Sequence, residues 1–468
     1  MVSIAQLMIV LDGSVVNIAL PDAQQALGLS DVARQWVVTA YGLAFGGLLL
    51  VAGRVADRFG RRTMLMIGLI GFAIASAIGG AAVNGEMLIA ARALQGVFAA
   101  LLAPSILSLL TLTFPSGRDR ATAFGVFSAV AAGGGAVGLL LGGMLTEWTT
   151  WRWTLLVNVV IAIPLIIVAP AVVPRTGRGD GVARIDLLGA VLATGGLVSL
   201  VYGFTRAEIQ GWGAPLTLTM FAVAAVLLVA FVVVESRIRN PLLPLRVVTD
   251  RNRGGAYLAT AFAIMAMFGQ FLIMTYYFQE TLGYSPMQAG LAFIPLTVCL
   301  AIGSTQVGAR LATRVAPRVV MASGYLVAAA GFGSFALLGT DSPYWAILPG
   351  LMLLGLGTGT AGVAATALGT FGVEPSDAGI ASAMVNTSQQ IGGAIGTAML
   401  ATIAASVTAA VDGGGEVATM TGYTVAFCVA GVLMLGAVAA ALLLVNARPD
   451  VAGTQDDQHE SELAPVAH

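Results

Sequence analysis

The chain alternates long apolar runs with short polar, charged or Pro/Gly-rich breaks from one end to the other. Many of these runs reach the ~20 residues that an α-helix needs to cross ~30 Å of hydrocarbon. Cutting the chain at its breaks predicts fourteen membrane-spanning helices. The predicted spans are 2–21, 33–52, 63–83, 87–110, 121–145, 153–173, 186–205, 214–234, 256–278, 287–309, 318–338, 344–367, 379–406 and 422–446.

Composition favours the same interpretation. Of the 468 residues, 58% are hydrophobic and 10% are charged, whereas an average soluble domain has roughly 25% charged residues. A soluble fold could not bury that much apolar surface, so we predict an all-α polytopic membrane protein. The net charge of −1 and the lack of a basic patch indicate no nucleic-acid partner.

The sequence offers little chemistry for an enzyme. Cys299 and Cys428 lie in apolar runs, and neither has a partner at metal-ligand spacing. The sequence contains no Walker motif and no nucleophile beside a base. We therefore expect no metal, no cofactor and no enzymatic activity.

Arginine placement predicts the orientation in the membrane. All 22 basic residues are arginines. Most fall in even-numbered connections between spans or in the C-terminal tail, and only Arg34, Arg152 and Arg206 fall in odd-numbered connections. Because basic residues of short loops stay on the cytoplasmic side, both termini are expected in the cytoplasm. The polar, acidic tail after Ala447 is expected to be disordered.

A short segment recurs along the chain. Residues 54–58 (RVADR) follow span two, and residues 310–314 (RLATR) follow span ten. If spans seven and eight are an insertion, both copies follow the second helix of a six-helix half, as in transporters built from repeats. The predicted domains are an N-terminal bundle (1–173), two inserted helices with linkers (174–254), a C-terminal bundle (255–446) and the tail (447–468).

The first copy belongs to a tight charged turn, GRVADRFGRR, at residues 53–62. Its glycines allow turning and close helix approach, and its charges can pair with each other or with a helix end. The segment resembles the cytoplasmic signature of the major facilitator superfamily, and a loop that only sets topology is the alternative. The resemblance implies an inner gate formed by Gly53, Arg54, Asp57, Arg58, Gly60, Arg61 and Arg62.

A second motif lies in the first span. Residues 11–21 (LDGSVVNIALP) are similar to the first-helix motif of the fourteen-helix drug:proton antiporters (DHA2) of that superfamily. Asp12 lies about nine residues, or roughly 13 Å, from the outer end of its span. An ionised aspartate at such a depth costs ~2.5 to 3.5 kcal/mol, so we expect it to face the protein interior and to act in function. A structural tie between helices is the alternative.

Arg92 is the expected partner of Asp12. It lies about six residues, or roughly 9 Å, from the outer end of its own span, at a depth similar to that of Asp12. Its segment, ARALQG, resembles the fourth-helix motif of the superfamily, whose arginine is implicated in proton transfer. Burial favours the neutral form of the Asp12 carboxyl group, and the nearby Arg92 guanidinium favours the charged form. A substrate that entered between Asp12 and Arg92 would therefore change how tightly Asp12 binds a proton. A static Asp–Arg or Arg–backbone bond is the alternative.

Span five carries glycines at steps of four, at Gly134, Gly138 and Gly142. Such a small-residue stripe lets another helix pack closely. It occupies the place of the superfamily's antiporter motif, but Leu139 stands where that motif has proline. Close packing is expected without the proline kink.

Several other polar residues are candidates for lining a substrate cavity. They are Asn17, Tyr41, Gln95, Asn158, Glu280, Asn386 and Gln390. Glu280 also fits an ordinary residue of the outer rim, and Asn386 and Gln390 also fit helix–helix hydrogen bonding.

The resemblance implies a bacterial cytoplasmic-membrane exporter that exchanges amphiphilic drugs or antibiotics for protons, with no obligate protein partner. One aspartate and one arginine firmly within the membrane do not make a strongly anionic cavity, so neutral or singly charged substrates are expected over dications. Three alternatives stay open: an exporter dedicated to one metabolite, a substrate-coupled uptake carrier, and a non-transporting receptor or scaffold.

Overall fold

A computed structural model of the chain describes residues 1–113, 130, 134–135, 137–173, 186–238, 241–243, 245–312, 314–370, 378–411 and 415–447. These residues are helical nearly throughout, and the described part of the chain contains no β-strand. A helix satisfies the backbone N–H and C=O groups within its own segment, which hydrocarbon requires because it offers no water. The predicted all-α fold is confirmed.

The N-terminal half of the chain forms eight described helices. They are α1 (Val2–Leu27), α2 (Asp31–Phe59), α3 (Arg61–Gly80), α4 (Gly85–Thr113), α5 (Val137–Trp148), α6 (Trp153–Val172), α7 (Leu187–Gln210) and α8 (Pro215–Arg237).

The C-terminal half begins with the short helix α9 (Leu245–Thr249) and contains two π-helical segments, Tyr277–Thr281 and Gly303–Gly308. Its other helices are α10 (Arg251–Tyr276), α11 (Pro286–Ala292), α12 (Ile294–Ile302), α13 (Ala309–Ala312), α14 (Pro317–Phe335), α15 (Tyr344–Thr370), α16 (Ala378–Ala410) and α17 (Gly415–Leu444).

Local sequence explains where several helices begin and end. Ser30 caps α2 by accepting a hydrogen bond from the Ala33 N–H, and Ser285 forms a capping box at the start of α11. Gly60 separates α2 from α3 with a φ of 91°, which side chains with a Cβ rarely adopt. The turn predicted over residues 53–62 is therefore confined to Gly60, because residues 53–59 continue α2 and Arg61 begins α3.

Twelve helices of the described residues are long and apolar enough to cross a membrane. Predicted spans two and five are not among these twelve. Span two corresponds to α2, which has 29 residues. Span five is represented by the shorter apolar helix α5, and most of its predicted range before residue 137 lies outside the described residues.

The helices pack as two groups that meet along α2 and α16. In the N-terminal group, α4 lies against α2 and α3, and α6 lies against α1 and α3. In the C-terminal group, α10 packs on α16 and α17, and α14 packs on α15. Glycines permit the closest approaches: a Cβ built on Gly324 of α14 would lie 2.6 Å from the Gly357 carbonyl oxygen of α15.

The helices α7 and α8 lie outside these two groups. Helix α7 contacts both α2 and α16, and α8 packs on α7. Only 11% of the most apolar stretch of α8 is buried, and Val226 and Val229 are among its exposed side chains. This exposure places α8 at the periphery, where its apolar surface suits contact with lipid.

Replacing Gly324 by valine should destabilise the protein, because the added side chain would push α14 away from the α15 backbone. We expect a loss of about 1–3 kcal/mol, as for other overpacked cores. Thermal unfolding of the purified protein in detergent measures the effect. Gly333→Val in the same helix is the control, since a Cβ at Gly333 meets no atom within 4 Å. Equal destabilisation by the two variants would contradict this packing.

Candidate functional site

Asp12 lies on the buried face of α1 and has no solvent exposure. Its Oδ2 atom accepts a hydrogen bond of 2.6 Å from Arg92 Nη1. Its Oδ1 atom accepts hydrogen bonds from Asn158 Nδ2 at 2.7 Å and Gln95 Nε2 at 3.0 Å. Helices α1, α4 and α6 therefore bring one carboxylate and three donors together.

Arg92 is held from several sides within this site. Its Nε–H donates to the Val37 carbonyl of α2 at 3.1 Å, and its Nη1 also donates to Gln95 Oε1 at 3.0 Å. The guanidinium carbon lies 4.3 Å from the centre of the Tyr41 ring, a cation–π distance. Arg92 is 1% exposed, so these contacts replace the water that the cation has lost.

The pair carries one negative and one positive charge in a site that excludes solvent. Two buried charges are costly to desolvate, and excellent geometry with additional hydrogen bonds offsets that cost. Removing one partner from such a pair costs roughly 3–5 kcal/mol because the other charge stays buried. The pair therefore ties together the packing of α1, α4 and α6, which supply its members and their hydrogen bonds.

Three residues named as cavity candidates from the sequence lie in this network. Gln95 and Asn158 bond Asp12 directly, and the ring of Tyr41 lies beside Arg92. Ser76 of α3 was not singled out, and it accepts a hydrogen bond of 2.8 Å from Gln95 Nε2. The only sequence signal for Ser76 was a polar side chain within the apolar run 63–83.

The other cavity candidates lie elsewhere. Asn17 is buried and donates to the Gly13 carbonyl of its own helix at 3.0 Å. Glu280 and Asn386 are exposed. Gln390 lies where α16 passes α2, 2.9 Å from the position of a Cβ built on Gly46.

The charged turn at residues 53–62 is described only in part. A Cβ built on Gly53 would meet no atom within 4 Å, and Arg62 Nη2 donates to the Pro170 carbonyl of α6 at 2.9 Å. Arg61 is partly buried. The side chains of Arg54, Asp57 and Arg58 lie outside the described residues.

The glycines of the span-five stripe face α1. A Cβ on Gly138 would lie 3.1 Å from the Leu11 carbonyl oxygen, and a Cβ on Gly142 would lie 2.9 Å from the Val15 carbonyl oxygen. Gly134 lies similarly close to Val10. Helix α5 therefore packs against the turn of α1 that carries Asp12.

The two helix groups also meet at one end of the assembly. We define the far face as the end that holds Gly28, Trp151 and Gly283, opposite the end that holds Met1 and Val445. There, Glu147 Oε2 at the end of α5 accepts from Ser285 Oγ at 2.6 Å and from the Met287 N–H at 3.2 Å. The backbones approach closely beside this contact, since a Cβ on Gly143 would lie 2.7 Å from Met287 Cα.

Further polar contacts join α1 and α2 to the end of α10 at the far face. The Tyr276 hydroxyl donates to Gln24 Oε1 at 2.7 Å, and Gln279 Nε2 donates to the Ile18 carbonyl at 3.0 Å. The guanidinium of Arg34 lies 4.1 Å from the centre of the Tyr276 ring and pairs with Asp31 at 2.9 Å. These contacts hold the two groups together at the far face.

The Tyr276→Phe variant should loosen the far face, because it removes the hydrogen bond to Gln24 and keeps the ring under Arg34. A typical hydrogen bond contributes about 0.5–1.5 kcal/mol, so open conformations should become roughly two- to tenfold more populated. Distance measurements between spin labels on the far-face ends of α1 and α10 report this population.

Tyr344→Phe is the matched control, because the Tyr344 hydroxyl bonds the Ala292 carbonyl at 2.8 Å within the C-terminal group. Tyr344→Phe should leave the label distances unchanged. The proposed contribution of Tyr276 is wrong if both variants give the same distance distribution as the unsubstituted protein.

Comparison of the sequence with known proteins shows the family of this chain. Residues 2–397 match the Major Facilitator Superfamily. The puromycin resistance protein of Streptomyces alboniger is 47% identical over 473 aligned positions, which cover 99% of this chain and 93% of the relative. The cephamycin export protein of Amycolatopsis lactamdurans is 42% identical, with 86% of this chain and 84% of the relative covered.

Solved structures agree at the level of the fold. A peptide transporter in complex with sulfate matches with a TM-score of 0.68 at 16% identity, covering 95% of each chain. A bacterial homologue of the human lysosomal transporter Spinster, in an inward-facing and unoccupied conformation, matches with a TM-score of 0.65 at 16% identity, again covering 95% of each chain. The chain is a multi-pass membrane transporter rather than an enzyme, and it belongs to the Major Facilitator Superfamily.

Proposed function

We propose that this transporter exports amphiphilic small molecules, antibiotics among them, in exchange for protons by alternating access. The observation that carries the proposal is the buried Asp12 carboxylate, bonded to Arg92, Gln95 and Asn158. The names of its relatives, which state resistance to puromycin and export of cephamycin, support export as the direction of transport.

The chemistry of the site suits proton exchange. In the described part of α1, α2, α3, α4 and α6, Asp12 is the fully buried carboxylate, so it is the group that can bind a proton inside the membrane region. Protonation would neutralise Asp12 and leave Arg92 with a weaker partner. In this proposal Asp12 carries the proton, and Arg92 adjusts how tightly Asp12 holds it.

Alternating access requires that the cavity between the two helix groups open to one side at a time. We propose that the far face is extracellular and that both termini are cytoplasmic, as arginine placement predicts. The contacts of Glu147, Gln24 and Ile18 would then close the extracellular side. The segment from Gly53 to Arg62, which joins α2 to α3, would form the inner gate, with the proton gradient as the only energy source.

The proposed architecture has fourteen membrane helices in the bacterial cytoplasmic membrane. To the twelve apolar helices it adds α2 and a span at 121–145 that overlaps α5. Residues 1–173 and 255–446 would form six-helix bundles, with α7 and α8 inserted between them within 174–254. Residues 447–468, which beyond Ala447 lie outside the described residues, would form a disordered cytoplasmic tail. The proposal requires no other protein and no cofactor.

A second candidate is an exporter dedicated to one natural product. It is favoured by relatives whose names each state a single antibiotic, such as cephamycin or tetracenomycin C. A susceptibility and accumulation screen in a pump-deficient host, with and without an uncoupler, separates the two candidates. Protection against one chemical class would favour the dedicated exporter, and protection against several would favour the multidrug exporter.

The Asp12→Asn variant should lose proton-driven export in reconstituted vesicles, because asparagine cannot take up and release a proton. We expect its export to fall to the rate of protein-free vesicles. Asp22→Asn is the matched control: it makes the same change ten residues further along α1 and should export like the unsubstituted protein. Proton-driven export by Asp12→Asn at the unsubstituted rate would contradict the role of Asp12.

Substrate charge gives a further prediction. The described intramembrane network holds one carboxylate, which already pairs with Arg92, so a dication would bring a second positive charge without a counter-ion. Monocations should therefore be exported several-fold faster than dications with the same aromatic core. Vesicle transport assays with such matched pairs measure the ratio, and faster export of the dications would contradict this view of the cavity.

A further inference from the structure

The hydrogen bonds around Asp12 suit only its charged form. Arg92 Nη1, Gln95 Nε2 and Asn158 Nδ2 are all donors, and all three point their hydrogens at the carboxylate. A protonated carboxyl group also donates a hydrogen bond and needs an acceptor. None of the three side chains bonded to Asp12 therefore presents an acceptor to a proton on it.

The position of the proton follows from the same distances. Oδ2 lies 2.6 Å from Arg92 Nη1, so a proton there would face the hydrogens of the guanidinium. Oδ1 lies between two uncharged amides, those of Gln95 and Asn158. Since an amide can present its oxygen in place of its nitrogen, Oδ1 is the atom on which a proton can be accommodated.

Gln95 is not free to turn its amide. Its Oε1 accepts from Arg92 Nη1 at 3.0 Å, and its Nε2 donates to both Asp12 and Ser76. Exchanging the two atoms would set the Gln95 nitrogen against the guanidinium of Arg92, donor against donor. The contact with Arg92 therefore holds Gln95 in one orientation.

Asn158 differs from Gln95 in one respect. Its Nδ2 donates to Asp12 Oδ1 at 2.7 Å, but its Oδ1 is buried and accepts no hydrogen bond from any described residue. One end of the Asn158 amide thus lacks a partner in this orientation. After a half-turn of the amide, Nδ2 would lack a partner instead of Oδ1. The half-turn therefore breaks only the hydrogen bond from Asn158 Nδ2 to Asp12. A new hydrogen bond replaces it, in which protonated Asp12 donates and Asn158 Oδ1 accepts.

We propose that Asn158 is a positioning residue that follows the protonation state of Asp12: its amide donates to the carboxylate and turns to accept from the carboxylic acid. In the step, a hydronium ion gives its proton to Asp12 Oδ1 and leaves as water, and the new O–H donates to Asn158 Oδ1. Asp12 becomes neutral while Arg92 keeps its charge. Release of the proton restores the charge on Asp12 and turns the Asn158 amide back. The inference rests on the proposed role of Asp12 as the proton carrier.

The charged and titratable groups that face Asp12 are few. Arg92 approaches from α4, and Tyr41 approaches from α2, with its hydroxyl buried and unbonded among the described residues. Helices α3 and α6 contribute Ser76 and Asn158, which do not titrate. The described residues of α5, α10 and α11 bring no charged group to this turn of α1. The Tyr41 hydroxyl is therefore the rival acceptor that an experiment must separate from Asn158.

Infrared difference spectra between alkaline and acidic buffer test the proposal on reconstituted full-length protein. A carboxylic-acid C=O band should appear at acidic pH and be lost in Asp12→Asn. In Asn158→Leu the band should shift to higher frequency, as for an acid that donates no hydrogen bond. Asn17→Leu should leave the band in place, because Asn17 bonds its own helix. Tyr41→Phe should also leave it in place.

A second measurement does not depend on the folding of any variant. With isotope-labelled asparagine in the otherwise unsubstituted protein, a labelled amide band should change together with the Asp12 band. A fixed amide band, an unshifted acid band in Asn158→Leu, or a shift only in Tyr41→Phe would each overturn the role of Asn158. If Asp12→Asn removes no acid band, the proposed proton carrier is wrong as well, which distinguishes that failure from a failure of Asn158 alone.

Discussion

The buried ion pair between Asp12 and Arg92 constrains the whole N-terminal group of helices. Neither charge has water to replace its partner, so the surrounding helices must supply every compensating contact. Helix α2 provides the Val37 carbonyl and the Tyr41 ring, α4 provides Gln95, and α6 provides Asn158. The pair thus fixes how four helices sit around one point, and a change in its charge acts on all of them.

The C-terminal group is also built of packed helices, but aromatic side chains fill its interior in place of a buried ion pair. Its interior is an aromatic cluster in which Phe278 packs on Phe293 and Phe335 packs on Phe427. Among the described residues of α10 to α17, no charged side chain is buried. The proposed proton chemistry therefore belongs to one half of the protein. The buried polar side chains of the other half, such as Gln270 and Thr275, are uncharged.

Two helices connect these halves in different ways. Helix α5 lies between α1 and α11, with Gly138 beside the turn that carries Asp12 and Gly143 against Met287 of the other group. Helix α7 lies across the seam, where Thr194 Oγ1 donates to the Gly47 carbonyl of α2 and Phe204 offers its carbonyl to Thr402 of α16. An opening of the far face would therefore bear directly on α5, and through α5 on the Asp12 turn of α1.

The sequence alone determined the class of protein, because the length and spacing of apolar runs set how often the chain can cross a bilayer. Motif resemblance indicated the family, and depth along each helix paired Asp12 with Arg92. Helical spacing already puts Gln95 one turn from Arg92 on α4. Only the tertiary structure brought Ser76 of α3 and Asn158 of α6 to the site, since they come from other helices. A lipid-facing side is as apolar as a packed side, so hydropathy does not reveal how a membrane helix is rotated. Rotation decides which polar side chains meet, and it is set by packing against neighbouring helices and by anchors at the membrane interface.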